Sequence, residues 1–204
     1  RVAQMSAGAG VHRRHQLEAR REAHLVAGPG DDDMPGLQRL AQDLSVGDTL
    51  PVELPHGDFH LRENSDVPIV MLASGTGFAP IKSILLHMCE KKIDREVYFY
   101  WGGRRPKDLY MNALCQEFAS TLPRFHYIPV VSEALPEDHW AGRTGFVHHA
   151  VMADFPDLSA FQVYACGAPI MVSAARREFV AQAGLPDEFF YADAFTSMAD
   201  KVGG

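Results

Sequence analysis

The sequence predicts an α/β protein built on a five-stranded parallel sheet with helices on both faces. Three observations carry that prediction. From Ile69 onward, short apolar, partly β-branched runs alternate with stretches of helical periodicity. Glycine or a small polar residue stands at nearly every strand exit. The chain has 204 residues, 47% of them hydrophobic, which is enough for one full domain and part of another.

The elements follow in order. Residues 1–44 read as an irregular arm. Arg1 to His24 holds five arginines and three histidines with little apolar periodicity, and Gly28 to Gly36 is linker chemistry. A short helix over Leu37–Leu44 is consistent with Leu37, Leu40, Ala41 and Leu44 on one face. Residues 45–66 form a second segment. Thr49–Leu54 reads as a strand whose Pro51 indicates an edge, and Phe59–Leu61 as a short strand after a turn at His56-Gly57-Asp58. The connector Arg62–Val67 sets a boundary, and 67–204 is the main domain.

Within that domain Ile69–Ala73 suits a strand buried on both faces. Ser74-Gly75-Thr76-Gly77 is a turn in which bare backbone can approach a ligand, and Pro80 can open the next helix. Ile81, Ile84, Leu85 and Met88 line one helical face. Val97–Trp101 is the second strand, and Asp108 is suited to cap a helix with Met111, Leu114, Cys115 and Phe118 on its apolar side. Phe125–Val131 is the third strand and Phe146–Phe155 a helix. Phe161–Cys166 is the fourth strand, followed by a helix over Pro169–Gln182 that Gly184 can end. Phe189–Ala192 is the last strand. Parallel strands joined this way need right-handed crossovers.

In such a sheet, ligands bind beyond the carboxyl ends of the strands. Those exits carry Gly75-Thr76-Gly77, Gly102-Gly103-Arg104-Arg105, Ser132-Glu133, Cys166-Gly167-Ala168-Pro169 and Asp193-Ala194-Phe195. Strand, glycine turn and helix together present free N–H groups to a phosphate. Arg104 and Arg105 are either solvated loop cations or a fork on a phosphate or ribose. Cys166 reads as a buried strand-end thiol, with no histidine spaced to make it a nucleophile. Phe195 is either core or a ring that stacks on a flat cofactor.

Several classes are excluded. A net charge of −7 argues against nucleic acid as a partner. No apolar run is long enough to span a bilayer. Cys89, Cys115 and Cys166 form neither a zinc pattern nor a disulfide framework, which fits the cytoplasm. The ten histidines are scattered, and adjacent His148 and His149 are not expected to present both rings on one helical face, so no metal site is expected.

Six motifs, in order from Gly47 to Ser197, resemble the nicotinamide-binding half of the ferredoxin–NADP reductase family. They are Gly57–Glu63, Leu72–Ser83, Tyr100–Gly102 with Asp108–Tyr110, Gly142–Val147, Tyr164–Pro169 and Tyr191–Phe195. The likeness is closest to a bacterial branch that includes reductases of the CDP-6-deoxy-glucoseen pathway and of aromatic oxygenases. The resemblance implies an FAD-dependent oxidoreductase that passes hydride from NAD(P)H to flavin and electrons onward to a [2Fe–2S] domain or protein. It assigns Ser74, Gly75, Thr76, Gly77 and Pro80 to the pyrophosphate and nicotinamide end. It sets Gly102, Arg104, Arg105 and Ser132 toward the adenosine ribose, and Cys166, Gly167 and Pro169 beside the nicotinamide. Phe195 would cover the flavin ring, with Asp193 as a nearby carboxylate. Because the cofactors carry the chemistry, no acid–base pair is needed. The branch commonly uses NADH, so NADH is preferred over NADPH.

The family's flavin barrel should precede Gly47, and its signature of arginine, aromatic and serine on a strand is missing. The four cysteines of a plant-type [2Fe–2S] domain are missing too. The expectation is a fragment or frame-disrupted product. Residues 1–44 would not be native barrel, and 45–66 would be the closing strands of a truncated FAD-binding barrel. The alternative function is an isolated NAD(P)-binding module without electron-transfer activity.

Overall fold

The computed structural model describes residues 57–195. The expected helix at 37–44 and the strand at 49–54 lie outside the described residues. The compact unit that holds the sheet begins at Phe59.

Six strands and four α-helices make up that unit. In chain order they are β1 Ile69–Ser74, α1 Phe78–Lys91, β2 Val97–Gly103, α2 Asn112–Thr121, β3 Phe125–Val131, β4 Arg143–Thr144, α3 Val147–Asp154, β5 Gln162–Gly167, α4 Pro169–Gln182 and β6 Phe190–Ala194. All strands run parallel in the order β4-β3-β2-β1-β5-β6. The predicted fold class is thus the observed one, with one strand more than expected. The addition, β4, is two residues long and pairs only with Val130 and Val131. So short a strand has no periodicity to read. It also leaves the outer side of β3 open at Pro129, where a residue without an N–H is tolerated. Phe59–Leu61, expected as a short strand, forms no strand among the described residues.

Period-two alternation divides the core into two layers. Ile69, Met71 and Ala73 of β1 join Phe99, Trp101, Tyr164 and Cys166 on one face, covered by α1 and α2. Val70 and Leu72 join Tyr100, Val163 and Ala165 on the other, covered by α3 and α4. Helix α1 buries Phe78, Ile81, Ile84, Leu85 and Met88, each contributing about 2 kcal/mol. It ends where Lys92 turns left-handed, with the Ile93 N–H bonded to the Met88 carbonyl at 2.9 Å. Helix α4 ends at Gln182, and Gly184 turns left-handed just beyond it at φ +68, the stop that the sequence predicts. No described helix is long and apolar enough to cross a membrane.

At the amino ends of the strands a single cation organises the backbone. Arg95 is 4% exposed. Its guanidinium donates to the Val67 carbonyl at 3.0 and 2.5 Å, the Arg62 carbonyl at 3.0 Å and Gln162 Oε1 at 3.0 Å. The Arg62 N–H in turn donates to the Tyr164 hydroxyl at 3.0 Å. This network anchors the connector 62–67 to the sheet, and burial lowers the Arg95 pKa from its ordinary value.

Candidate functional site

The strand order sets a switch point between β1 and β5. From β1 the chain moves outward through β2, β3 and β4, then returns to the far side of β1 as β5. Helix α1 leaves β1 on one face, and α4 leaves β5 on the other. The crevice between them lies at the carboxyl edge, where open α/β sheets take their ligands.

Two helix N-termini open onto that crevice. Neither α1 nor α4 has a side-chain cap, and neither carries an acidic residue in its first turn. Each therefore keeps a positive dipole end unneutralised at adjacent strand ends. Pro80 and Pro169 lie in these first turns, where a missing N–H costs little.

The turn from β1 into α1 is a short 3-10 segment, Gly75–Gly77, rather than an open loop. The glycines of the site fall into two kinds. A Cβ on Gly77 would stand 2.1 Å from the Cys166 carbonyl oxygen, so Gly77 is bare because β5 backbone occupies that space. A Cβ on Gly167 would stand 2.4 Å from Ser74 Oγ, and its φ is +131. A Cβ on Gly102 would press on Val147 at 3.0 Å. Gly75 differs, since its φ is +52 and a Cβ there would meet nothing within 4 Å. Of these four, only Gly75 turns toward open space.

The two strand ends are locked together. Ser74 Oγ accepts the Ala168 N–H at 3.0 Å, and the Phe195 N–H donates to the Gly167 carbonyl at 3.0 Å. The Trp101 indole N–H donates to the Gly75 carbonyl at 3.2 Å, while its ring stacks on Phe78 at 4.4 Å. Trp101 is not among the site residues expected from the sequence, although its place at the end of an apolar strand beside Gly102 is a readable signal.

Other predicted residues are placed as follows. Cys166 is fully buried, opposite Ala73 and Asp193 in the sheet register. Burial, helped by Asp193, pushes its thiol far above the usual range, so it is protonated at neutral pH. Burial likewise raises the Asp193 carboxyl, which is partly exposed. Phe195 is half-buried at the edge of the α1-side core. Thr76 is partly exposed in the turn.

The far rim is formed by the β2 and β3 exits. Asp108 does not cap α2. Its carboxylate accepts the Arg104 and Arg105 N–H groups at 3.0 and 2.9 Å, because the tight segment Pro106–Asp108 folds it back onto its own loop. Helix α2 starts later, at Asn112. The Arg105 guanidinium is forked on Asp138 at 2.6 and 2.8 Å, which holds that carboxyl below the usual range. The Arg104 side chain is exposed, with no partner among the described residues. The Ser132 N–H donates to the Gly103 carbonyl at 2.9 Å, fixing the β3 exit against the β2 exit.

This arrangement can hold an extended anion across the edge of the sheet. It contains no nucleophile–base pair, and its one buried thiol is neutral. The residues suit a cofactor that brings its own chemistry.

The comparisons with known proteins agree with this geometry. The family model described as oxidoreductase NAD-binding domain matches residues 71–177. Protein RfbI of Salmonella typhimurium is 47% identical over 155 residues, covering 76% of this chain and 46% of its own. The CDP-6-deoxy-L-threo-D-glycero-4-hexulose-3-dehydrase reductase of Yersinia pestis is 44% identical over 156 residues, with the same two coverages. Among solved structures, the Amycolatopsis cytochrome P450 reductase GcoB superposes with a TM-score of 0.66 at 32% identity, over 76% of this chain and 46% of that one. The chain spans about half the length of the curated relatives it matches. It belongs to the oxidoreductase NAD-binding domain family, in its ferredoxin reductase-like branch.

Proposed function

We propose that this chain is the NAD(P)H-binding part of an FAD-dependent reductase that passes electrons onward to an iron–sulfur centre. The observation that carries the reading is the pair of uncapped helix N-termini flanking Gly75 at the β1–β5 switch point. The pyrophosphate would rest against the Gly75–Gly77 turn and the first turn of α1, with Pro80 behind it. The nicotinamide would lie along Cys166, Gly167 and Pro169, and would supply the hydride when bound.

The chain's own residues position and exclude rather than react. Gly77 and Gly167 let β1 and β5 ends approach closely, and Ser74 fixes their spacing. Holding two rings in register supplies several kcal/mol through proximity alone. The buried, neutral Cys166 would offer an apolar side to the nicotinamide pocket. Phe195 and Asp193 would face the flavin ring. The flavin and [2Fe–2S] groups would be supplied by further domains of the same protein or by partners in trans. The dehydrase and P450 reductases among its relatives motivate that assignment. A reducing cytoplasm suits the three free cysteines.

NADH is the proposed coenzyme. Asp138 already engages Arg105, and Glu137 stands 3.5 Å from it, so this arginine is occupied by carboxylates. A 2′-phosphate would have to rely on Arg104 or pull Arg105 from its carboxylates.

The test is direct. Purified protein is titrated with NADH and NADPH, and its colour and ferricyanide reduction are recorded with and without added FAD. NADH binding with reduction in the presence of FAD supports the reductase. Colourless protein that binds NADH but reduces nothing supports an isolated binding module. Failure to bind either dinucleotide sinks both readings. Arg105→Ala sharpens the coenzyme assignment, since a selective loss of NADPH affinity would give that arginine a 2′-phosphate role.

A further inference from the structure

Helices α3 and α4 pack on the same face of the sheet. Three metal-ligating side chains meet between them. His148 and His149 come from the first turn of α3, and Glu178 from α4. Contrary to the expectation for adjacent helical residues, both imidazoles turn onto one carboxylate oxygen. Glu178 Oε2 lies 3.5 Å from His148 Nε2 and 3.2 Å from His149 Nε2. The two rings tilt toward each other with centroids 4.2 Å apart, and Phe146 lies against both.

The two imidazole–carboxylate spacings match those of a coordination shell. A tetrahedral ion with ligands at about 2.0–2.2 Å holds their donor atoms about 3.3–3.6 Å apart. One donor atom from each residue lies within 4.8 Å of the other two. Two imidazoles and a carboxylate make a set that divalent transition metals accept. Arg177 donates to Glu178 Oε1 at 2.9 Å, which leaves Oε2 as the oxygen turned to the histidines. His148 is 7% exposed, which holds its ring in place with Nε2 toward the carboxylate. The His149 side chain is 59% exposed, leaving a fourth position open to water.

We propose that His148, His149 and Glu178 form a binding site for a divalent transition-metal ion, with zinc as the occupant, and that the ion ties α3 to α4. The proposal does not depend on the function proposed above.

Chelator-treated, untagged protein titrated with zinc chloride tests it by calorimetry and by metal analysis after dialysis. The expected result is one zinc per chain and a zinc-dependent rise in melting temperature. His149→Ala and Glu178→Gln should each weaken zinc binding at least about tenfold and abolish the thermal shift. These two carry the test, because His148→Ala alters a buried position and can fail to fold. Cobalt substitution should add the visible absorption of a four-coordinate ion in the native protein but not in the variants. The proposal is overturned if the native protein retains no zinc. Unchanged affinity in both variants also overturns it, because the ion would then sit on some of the other histidines.

Discussion

The two edges of the sheet are built on opposite plans. At the amino edge, one buried guanidinium satisfies three acceptors and the polar groups close on one another. At the carboxyl edge, two helices begin without side-chain caps, and Gly75 turns toward open space. Satisfied polar groups stabilise, whereas unsatisfied ones bind. The same six strands therefore carry an anchor at one end and a receptor at the other.

That contrast can be broken from either side. The largest effect should come from Arg95→Met, which strands the Val67 and Arg62 carbonyls and Gln162. A loss of about 3 kcal/mol is expected in denaturant unfolding, with dinucleotide affinity of the folded fraction unchanged. Loss of affinity without loss of stability would show that the edges are not independent. Gly77→Ala should come next. Its Cβ would force β5 backbone away, costing about 2 kcal/mol and at least tenfold in NADH affinity. If NADH binds Gly77→Ala as tightly as it binds the native protein, the crevice does not depend on this close approach. Ser74→Ala removes the acceptor of the Ala168 N–H and should cost about 1 kcal/mol by thermal unfolding.

The smallest effect concerns pH. Burial raises the folded-state pKa of Asp193 above its unfolded value, so the folded state disfavours its ionised form. Its contribution to stability is fully present below the unfolded pKa and is lost as pH rises through the folded one. Asp193→Asn should therefore be slightly more stable than the native protein at neutral pH, with the difference vanishing in acid. Equal stability at both pH values would show that the carboxyl is well solvated.

Much of this architecture was legible in the sequence. Strand β3 and helix α4 fall on their predicted spans, because an apolar run and a 3.6-residue period need no tertiary information. The chemistry-bearing exits were legible too, since glycine and small residues cluster there. What escaped depends on distant residues. Asp108 carried a capping signal, but the loop geometry returned its carboxylate to Arg104 and Arg105. By sequence Arg105 is equally consistent with a phosphate fork, and only the fold brings Asp138, 33 positions away, to hold it. Arg95 carries no signal in the sequence that marks it as buried; the packing of three strand starts buries it.

By itself, the sequence determined the alternation of strands and helices, the parallel sheet and the glycine turn after the first strand. Local periodicity and backbone sterics act over a few residues and are written directly in the chain. Tertiary structure alone decided which glycines face protein and which faces space, which arginine is already engaged, and that His148 and His149 converge on Glu178. Those outcomes depend on where side chains from separate elements meet, and that is settled only when the two core layers pack.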